Sequence, residues 1–159
     1  MAKRPIPITD RLWQIFFLAA LPLIILLLPI GFAFHLIKGY ILERQVWRNW
    51  CRQGIHLLFV YSNSRQWKEY IEKEILPQLP EQKIVLNWSE RRMWDPRSLP
   101  TRVFYQFSGN EEFCPIAMIF WPRQAPNIFR FYRAFKDLNH GKSEPLRKLQ
   151  AQLFVALEA

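Results

Sequence analysis

The sequence predicts an α/β protein: an N-terminal transmembrane helix followed by a small βαβ-containing domain with about four strands. An uncharged apolar stretch near the N-terminus is long enough to enter a bilayer. After residue 54, short apolar, β-rich runs alternate with amphipathic helical patterns. Half of the 159 residues are apolar, which excludes a disordered chain. The strands are expected to be mostly parallel, with room for one antiparallel strand at an edge.

The positive charge is concentrated beside the apolar stretch. The formal net charge is +9, and more than half of it lies in residues 1–53. Basic residues there are attracted to anionic lipid by roughly 1 kcal/mol each near the surface. Nucleic-acid binding usually needs a dense basic face or a recognised module, and the sequence has neither, so no nucleic-acid partner is expected. The expected partner is the lipid bilayer, which could include anionic lipid. A partner protein is also possible.

Residues 12–37 carry no charge and are predicted to form a transmembrane anchor behind a basic N-terminal flank, residues 1–11. As a helix the stretch measures roughly 39 Å, longer than the ~30 Å hydrocarbon core. Trp13 and Tyr40 lie near its ends, where aromatic rings favour the membrane interface. A cleaved signal peptide is the alternative, but its apolar region is normally shorter. The protein is therefore expected to be a single-pass membrane protein.

Two features leave the membrane geometry open. Pro22 and Pro29 each remove a backbone donor, so they either bend a spanning helix or mark a re-entrant segment with both ends on one side. Lys and Arg are almost equally frequent on the two flanks, so the positive-inside rule gives little bias. The few cysteines and the Arg-rich segment that follows favour a cytoplasmic over an external domain.

Residues 38–53 are predicted to continue as a basic amphipathic helix. Arg44, Arg48 and Arg52 recur every four residues, which forms one basic stripe. An apolar, Trp-bearing face opposite would suit a helix lying along the membrane surface, whereas a helix docked onto the domain would give the same pattern. The residues predicted to face the membrane surface are Trp13, Lys38, Tyr40, Arg44, Trp47, Arg48, Trp50 and Arg52.

The domain over residues 54–159 opens with a predicted βαβ unit. Ile55–Tyr61 is a short apolar run typical of a buried strand. The polar residues that follow it suit a helix N-terminus, and Arg65–Leu76 then places its apolar residues on one face. Lys83–Trp88 is the second buried strand. A strand, a capped helix and a strand in this order predict two parallel strands.

The rest of the domain is less regular. Residues 98–109 fit both a helix and a strand; a helix is preferred because Ser98 would cap it and Gly109 would follow its end. Residues 116–121 are predicted to form a third buried strand. Residues 128–132 are predicted to form an edge strand, which could run antiparallel. A C-terminal helix is expected after Ser143.

Ligands of open α/β sheets bind beyond the carboxyl ends of the strands. Hydroxyl groups at a helix start suit an anion, and arginine side chains could pair with it. Serine and asparagine at such positions more often simply cap the helix. The candidate anion-binding residues are Ser62, Asn63, Ser64 and Arg65 after the first strand, and Arg91 and Arg92 after the second.

No residue pattern indicates a particular chemistry. Cys51 and Cys114 lack CxxC spacing, and His35, His56 and His140 are scattered. Neither a metal site nor a cofactor is therefore expected. If the protein is an enzyme, its catalytic residues are unknown at this point. We expect a non-enzymatic α/β binding or interaction module held at the membrane surface. The alternative is a membrane-bound enzyme that acts on an anionic or nucleotide-like substrate at the carboxyl ends of the strands.

Overall fold

A computed structural model describes the backbone of residues 8–158 and the side chains of residues 20, 21, 25 and 27–158. The chain divides into two compact units, one ending at Tyr40 and one beginning at Ile41.

The first helix, α1 (Ile8–Asn49), contributes to both units. It continues without a break through Pro22 and Pro29, so its backbone does not make the re-entrant bend considered above. In the first unit, the described side chains of residues 27–38 are all exposed, including Leu28 and Phe34.

The transmembrane prediction is corrected by the structure. Among the residues that the structure describes, no helix is long and apolar enough to cross a membrane. Among the side chains that the structure describes, the continuous uncharged run extends from Leu27 to Ile37 and is followed by Lys38, which is about half of the ~20 apolar residues that a span requires. The other side chains of the predicted span, at residues 12–19, 22–24 and 26, lie outside the described residues. The finding contradicts the single-pass anchor and the membrane localisation, and neither is retained.

The second unit contains a four-stranded sheet with the order β2-β1-β3-β4. Its strands are β1 (Leu57–Tyr61), β2 (Lys83–Asn87), β3 (Ile116–Ile119) and β4 (Asn127–Arg130). The parallel pairing of β1 with β2 confirms the predicted βαβ unit. The pairs β1–β3 and β3–β4 are antiparallel, so the expectation of a mostly parallel sheet is wrong. A continuous apolar run indicates that both faces of a strand are buried. Because this holds for parallel and antiparallel strands alike, the run does not predict the direction of the strand.

The described part of the chain contains five α-helices. After α1 and a short 3-10 turn, α2 (Lys68–Tyr70) continues as a π-helical turn, Ile71–Ile75, and a 3-10 turn, Leu76–Gln78. A further 3-10 segment, Trp88–Met93, follows β2. The remaining helices of the described chain are α3 (Leu99–Phe107), α4 (Tyr132–Asn139) and α5 (Glu144–Glu158).

The preference for a helix over residues 98–109 is confirmed. The Ser98 hydroxyl accepts a hydrogen bond from the amide of Thr101 at 3.4 Å, which satisfies one of the free donors of the first turn. By contrast, β4 ends at Arg130 and α4 begins two residues later, so the strand predicted over residues 128–132 is too long. Helix α4 was not predicted.

Two hydrophobic cores lie on opposite faces of the sheet, and β1 is buried along its whole length. On one face, Leu57 and Phe59 pack with buried side chains of the π-helical turn Ile71–Ile75, of α4 and of α5. On the other face, Leu58 and Val60 pack with α3 and with the C-terminal part of α1. The second unit is therefore a three-layer α/β sandwich, in which burying each large apolar side chain contributes roughly 1.5–3 kcal/mol.

The C-terminal part of α1 belongs to this second core. Leu42, Val46 and Trp50 recur every four residues, and all three are buried. Trp50 meets Phe120 edge to face, with ring centroids 6.1 Å apart. Of the two interpretations of residues 38–53, the structure therefore shows the helix docked onto the domain from Ile41 onwards.

Candidate functional site

The loops that follow β1 and β2 meet at one edge of the sheet, because parallel strands place their carboxyl ends together. The amide of Asn63 donates to the Ser89 hydroxyl at 2.9 Å, and the Asn87 side-chain amide donates to Asn63 Oδ1 at 3.0 Å. Asn87 Oδ1 in turn accepts from the backbone amide of Ser89 at 3.1 Å. These polar groups therefore bind one another across the two loops.

The other candidates after β1 have similar local roles. The Ser62 hydroxyl accepts from the Trp67 indole at 3.1 Å, and the Ser64 hydroxyl accepts from the amide of Gln66 at 3.3 Å. Arg65 is exposed and lines an open cavity of about 270 Å³. The other residues that line this cavity are Asn63, Lys68, Glu69, Glu72 and Lys73.

Charges of both signs line this cavity. Lys73 and Glu69 form an ion pair at 2.7 Å, and the carboxylate of Glu72 accepts a hydrogen bond from Tyr61. A carboxylate beside a bound anion is repulsive, so this lining is a weak match to an anionic ligand. The anion site at Ser62–Arg65 stays a prediction.

Tyr61 is the most perturbed ionisable group at this edge. Its hydroxyl donates to Glu72 Oε1 at 2.9 Å. Burial, followed by the hydrogen bond to Glu72 and the negative charges of Glu72 and Glu90, raises the pKa of Tyr61 to about 12. The phenol is thus held in its neutral form as a hydrogen-bond donor that links the end of β1 to the helix beyond it.

Replacing Glu72 with glutamine is expected to lower the pKa of Tyr61, because a negative neighbour is lost and the phenol then donates to a neutral amide oxygen in place of a carboxylate. In the unchanged protein the native pKa lies above the ordinary value of about 10, so the native state holds the proton more tightly. This contribution to stability is complete below about pH 10 and is lost as the pH rises through about 12. Titration of phenolate absorbance measures the shift, with Tyr61→Phe as the control that removes the late-titrating phenol. An unchanged late titration in Glu72→Gln would contradict the assignment.

Arg91 lies over an aromatic ring. Its guanidinium carbon is 4.8 Å from the centroid of Trp88, and its Nη1 donates to the Trp88 carbonyl at 3.4 Å. Arg91 and Arg92 are both exposed in the 3-10 segment. The structure therefore brings the two loops together, but it places Arg91 against Trp88.

A set of aromatic and arginine side chains surrounds this position, and we call it the Trp–Arg surface. Trp88 and Trp94 are half-buried and meet edge to face at 5.7 Å. Tyr105 from α3 lies 6.4 Å from Trp88 and 6.5 Å from Trp94. The members of the surface are Trp88, Arg91, Arg92, Met93, Trp94 and Tyr105.

The Trp–Arg surface is exposed at its centre and supported from behind. Met93 is 77% exposed and Tyr105 is 58% exposed. Behind them, the buried ring of Phe104 lies 5.4 Å from Trp88 and 5.6 Å from Trp94. Phe113 adds a contact to Trp88 at 4.7 Å. These ring contacts hold both tryptophans in place.

The loop that leaves the Trp–Arg surface is held by its own hydrogen bonds. Asp95 Oδ1 accepts from the amide of Arg97 at 2.9 Å, and the Asp95 carbonyl accepts from the Ser98 hydroxyl at 2.9 Å. Ser98 then caps α3. Sequence reasoning singled out Arg91 and Arg92 but missed the tryptophans, although the spacing of Trp88 and Trp94 around an Arg-Arg-Met run was a readable signal.

The residues predicted to face a membrane surface divide into several groups. Arg44, Trp47, Arg48 and Arg52 are exposed, and the guanidinium of Arg52 lies 6.0 Å from the Trp47 ring. Trp50 is only 6% exposed, so it packs into the core and offers no surface. Lys38 and Tyr40 are exposed side chains of the first unit, and the side chain of Trp13 lies outside the described residues. A contact of the arginines with anionic lipid stays a prediction.

The two cysteines and His56 contact other parts of the fold and do not form a reactive site. Burial raises the pKa of the Cys114 thiol to about 11 and also raises the pKa of Cys51. Because the thiolate is the nucleophile, both are poor nucleophiles at neutral pH. His56 stacks on Trp121 at 4.4 Å, and its Nδ1 lies 3.1 Å from the Phe120 carbonyl oxygen. Within the part of the chain that the structure describes, no three His, Cys, Asp or Glu residues lie close enough together to hold a metal ion.

The function has to be inferred from the side chains of the chain itself. The chain matches no known protein-family model, no curated protein and no solved structure.

Proposed function

We propose that this chain is a non-enzymatic interaction module that binds a partner protein through the Trp–Arg surface. The observation that carries the proposal is the cluster of the Trp88, Trp94 and Tyr105 rings with Arg91 over Trp88, together with the exposure of Tyr105 and Met93. Tryptophan, tyrosine, methionine and arginine are enriched in protein interfaces, and the first two with arginine dominate their binding energy.

Rigidity supports the same proposal. The contacts of Trp88 and Trp94 with Phe104 hold both indoles before any partner arrives. Binding to fixed side chains loses less conformational entropy than binding to mobile ones, at about 0.5–1.5 kcal/mol for each flexible side chain that need not be ordered. A surface of this kind therefore uses more of its contact energy for affinity.

The alternative, an enzyme that acts on an anionic substrate at the strand ends, has less support. Asn63, Asn87 and Ser89 already hydrogen-bond one another at that edge. Glu69 and Glu72 line the neighbouring cavity and oppose an anionic substrate. We therefore place the function at the Trp–Arg surface.

A random peptide library displayed on phage and selected on the full-length protein tests the proposal. The selected peptides are expected to lose affinity by about tenfold or more for a Met93→Ser, Tyr105→Ser double variant, because interface anchors contribute more than about 1.4 kcal/mol each. Val155→Ser removes an equally exposed apolar side chain from α5 and serves as the matched control, which should bind unchanged. Enriched peptides that bind the double variant as tightly as the unchanged protein would overturn the proposal, as would a selection without enrichment.

A further inference from the structure

We infer that the partner of the Trp–Arg surface presents an acidic segment that carries an aromatic or large aliphatic side chain. The inference rests on the proposed function and adds the chemistry of the partner. Three features of the surface support it: arginines without a partner in the described chain, exposed apolar side chains, and the orientation of the aromatic rings.

The arginines of this region are available to a partner. In the described part of the chain, no hydrogen bond or ion pair engages the side chain of Arg92, or that of Arg97 in the loop that follows Trp94. Both are exposed. A guanidinium group presents a planar set of donors that matches a carboxylate with two parallel hydrogen bonds. Carboxylates of the partner would therefore find two open cationic positions.

The acidic residues of the same segment are already engaged. Glu90 Oε1 accepts from the Asn87 side-chain amide at 3.2 Å, and Asp95 Oδ1 accepts from the backbone amide of Arg97 at 2.9 Å. Neither carboxylate forms an ion pair with Arg92 or Arg97 in the described chain. Three arginines, Arg91, Arg92 and Arg97, stand against these two carboxylates, so the segment keeps a net positive charge that favours an acidic partner.

Arg91 strengthens the same preference. Its guanidinium lies on the face of Trp88 at 4.8 Å, an arrangement in which the ring quadrupole attracts the cation. Stacking uses the face of the guanidinium and leaves donors at its edge for a carboxylate. The stacked geometry also limits the rotamers of Arg91, so less entropy is lost when a partner binds.

The apolar centre determines the second requirement. Tyr105 exposes most of its side chain beside the indole of Trp94, and Met93, the residue before Trp94 in the chain, is also mostly exposed. Methionine adapts its shape and contacts aromatic rings favourably through its sulfur. An aromatic or large aliphatic side chain of the partner would remove this apolar area from water, whereas a uniformly acidic chain would leave it exposed.

Ring orientation favours a protein over a single-stranded nucleic acid. Bases bind by stacking on exposed ring faces. Here Trp88 and Trp94 are inclined by 73°, Trp88 and Tyr105 by 67°, and Trp94 and Tyr105 by 62°. One face of Trp88 is also occupied by Arg91. The rings therefore do not form a platform on which successive bases could stack.

The test uses the full-length protein, the selected peptides and a fluorescently labelled oligo-dT as the nucleic-acid probe. The peptides are expected to be enriched in Asp and Glu beside an aromatic or aliphatic residue. Arg92→Glu with Arg97→Glu should weaken them by about tenfold or more, and Arg92→Lys with Arg97→Lys should restore most of the affinity. Arg147→Glu with Lys148→Glu makes the same charge change at exposed positions of α5, so this control should retain most of the affinity. Circular dichroism checks that each variant is folded.

The outcomes separate this inference from the proposed function. If the selected peptides are not enriched in acidic residues, the inference of an acidic partner is wrong, but the interaction surface is still supported. The same conclusion follows if the peptides tolerate Arg92→Glu with Arg97→Glu but lose binding with Met93→Ser and Tyr105→Ser. Peptides insensitive to both sets of changes overturn both. Oligo-dT that binds more tightly than the selected peptides and depends on the same arginines reassigns the surface to nucleic acid and overturns the inference.

Discussion

Replacing Trp50 with alanine is expected to lower the free energy of unfolding by about 3–5 kcal/mol. Trp50 is 6% exposed, lies directly after α1 and packs against Phe120. Its removal leaves a cavity between the C-terminal part of α1 and the sheet. The size of the effect follows from the docking of this helix segment, because a tryptophan on an exposed helix face would contribute little to folding.

Trp47 provides the matched control on the same helix. It is 37% exposed, and Trp47→Ala should change the free energy of unfolding by about 1 kcal/mol or less, as most surface substitutions do. Urea denaturation followed by circular dichroism gives both values. Equal losses of stability for the two variants would contradict the docked arrangement of α1.

Phe59→Ala should destabilise the protein to a similar extent, by about 3–5 kcal/mol. Phe59 is fully buried in the central strand β1, and its ring lies 6.0 Å from Phe131. It belongs to the core on the opposite face of the sheet from Trp50. Because β1 pairs with strands on both sides, a cavity at Phe59 weakens the contact between the sheet and the helices α2, α4 and α5.

The residue opposite Phe59 in the sheet serves as its control. Val85 pairs with Phe59 in the register of β1 and β2, but it lies on an edge strand and is 37% exposed. Val85→Ala should therefore lower the free energy of unfolding by no more than about 1 kcal/mol. A loss in Val85→Ala as large as that in Phe59→Ala would contradict the assignment of β1 as the centre of the fold.

Local patterns predicted much of the second unit. The order of strand, helix and strand over residues 55–88 was sufficient for the parallel β1–β2 pair, because such a connection strongly constrains strand direction, although the helix begins at Lys68 without the predicted side-chain cap. Ser98 and Gly109 identified α3 against an equally good strand pattern, since a cap is a specific signal and apolar spacing is not. The helix predicted after Ser143 is α5.

Other features depend on contacts that no local pattern contains. The antiparallel direction of β3 is one, because its apolar run reports burial on both faces and not orientation. Helix α4 was missed, although buried Phe131, Ala134 and Phe135 follow a helical spacing. The docking of α1 was one of two readings of the same amphipathic pattern. Only the fold of the chain distinguishes a core-facing Trp50 from an exposed Trp47.

The candidate site was predictable only in part. Parallel strands place Asn63 and Ser89 at one edge, and the topological rule anticipated that proximity. The rule could not anticipate that the polar groups there bind one another. It also could not place Tyr105 of α3 beside Trp88 and Trp94, because that contact joins segments through tertiary packing. The Trp–Arg surface therefore became visible only in the folded chain.

Hydrogen exchange of the full-length protein, with and without a selected peptide, tests the central claim most directly. The account predicts slower exchange of backbone amides in residues 88–107, which contain the 3-10 segment, the following loop and α3. Amides of α5 should exchange at unchanged rates, since that helix packs on the other face of the sheet. Protection confined to α5 or to the loop at Ser62–Arg65, with residues 88–107 unaffected, would contradict the claim that the Trp–Arg surface is where this protein binds its partner.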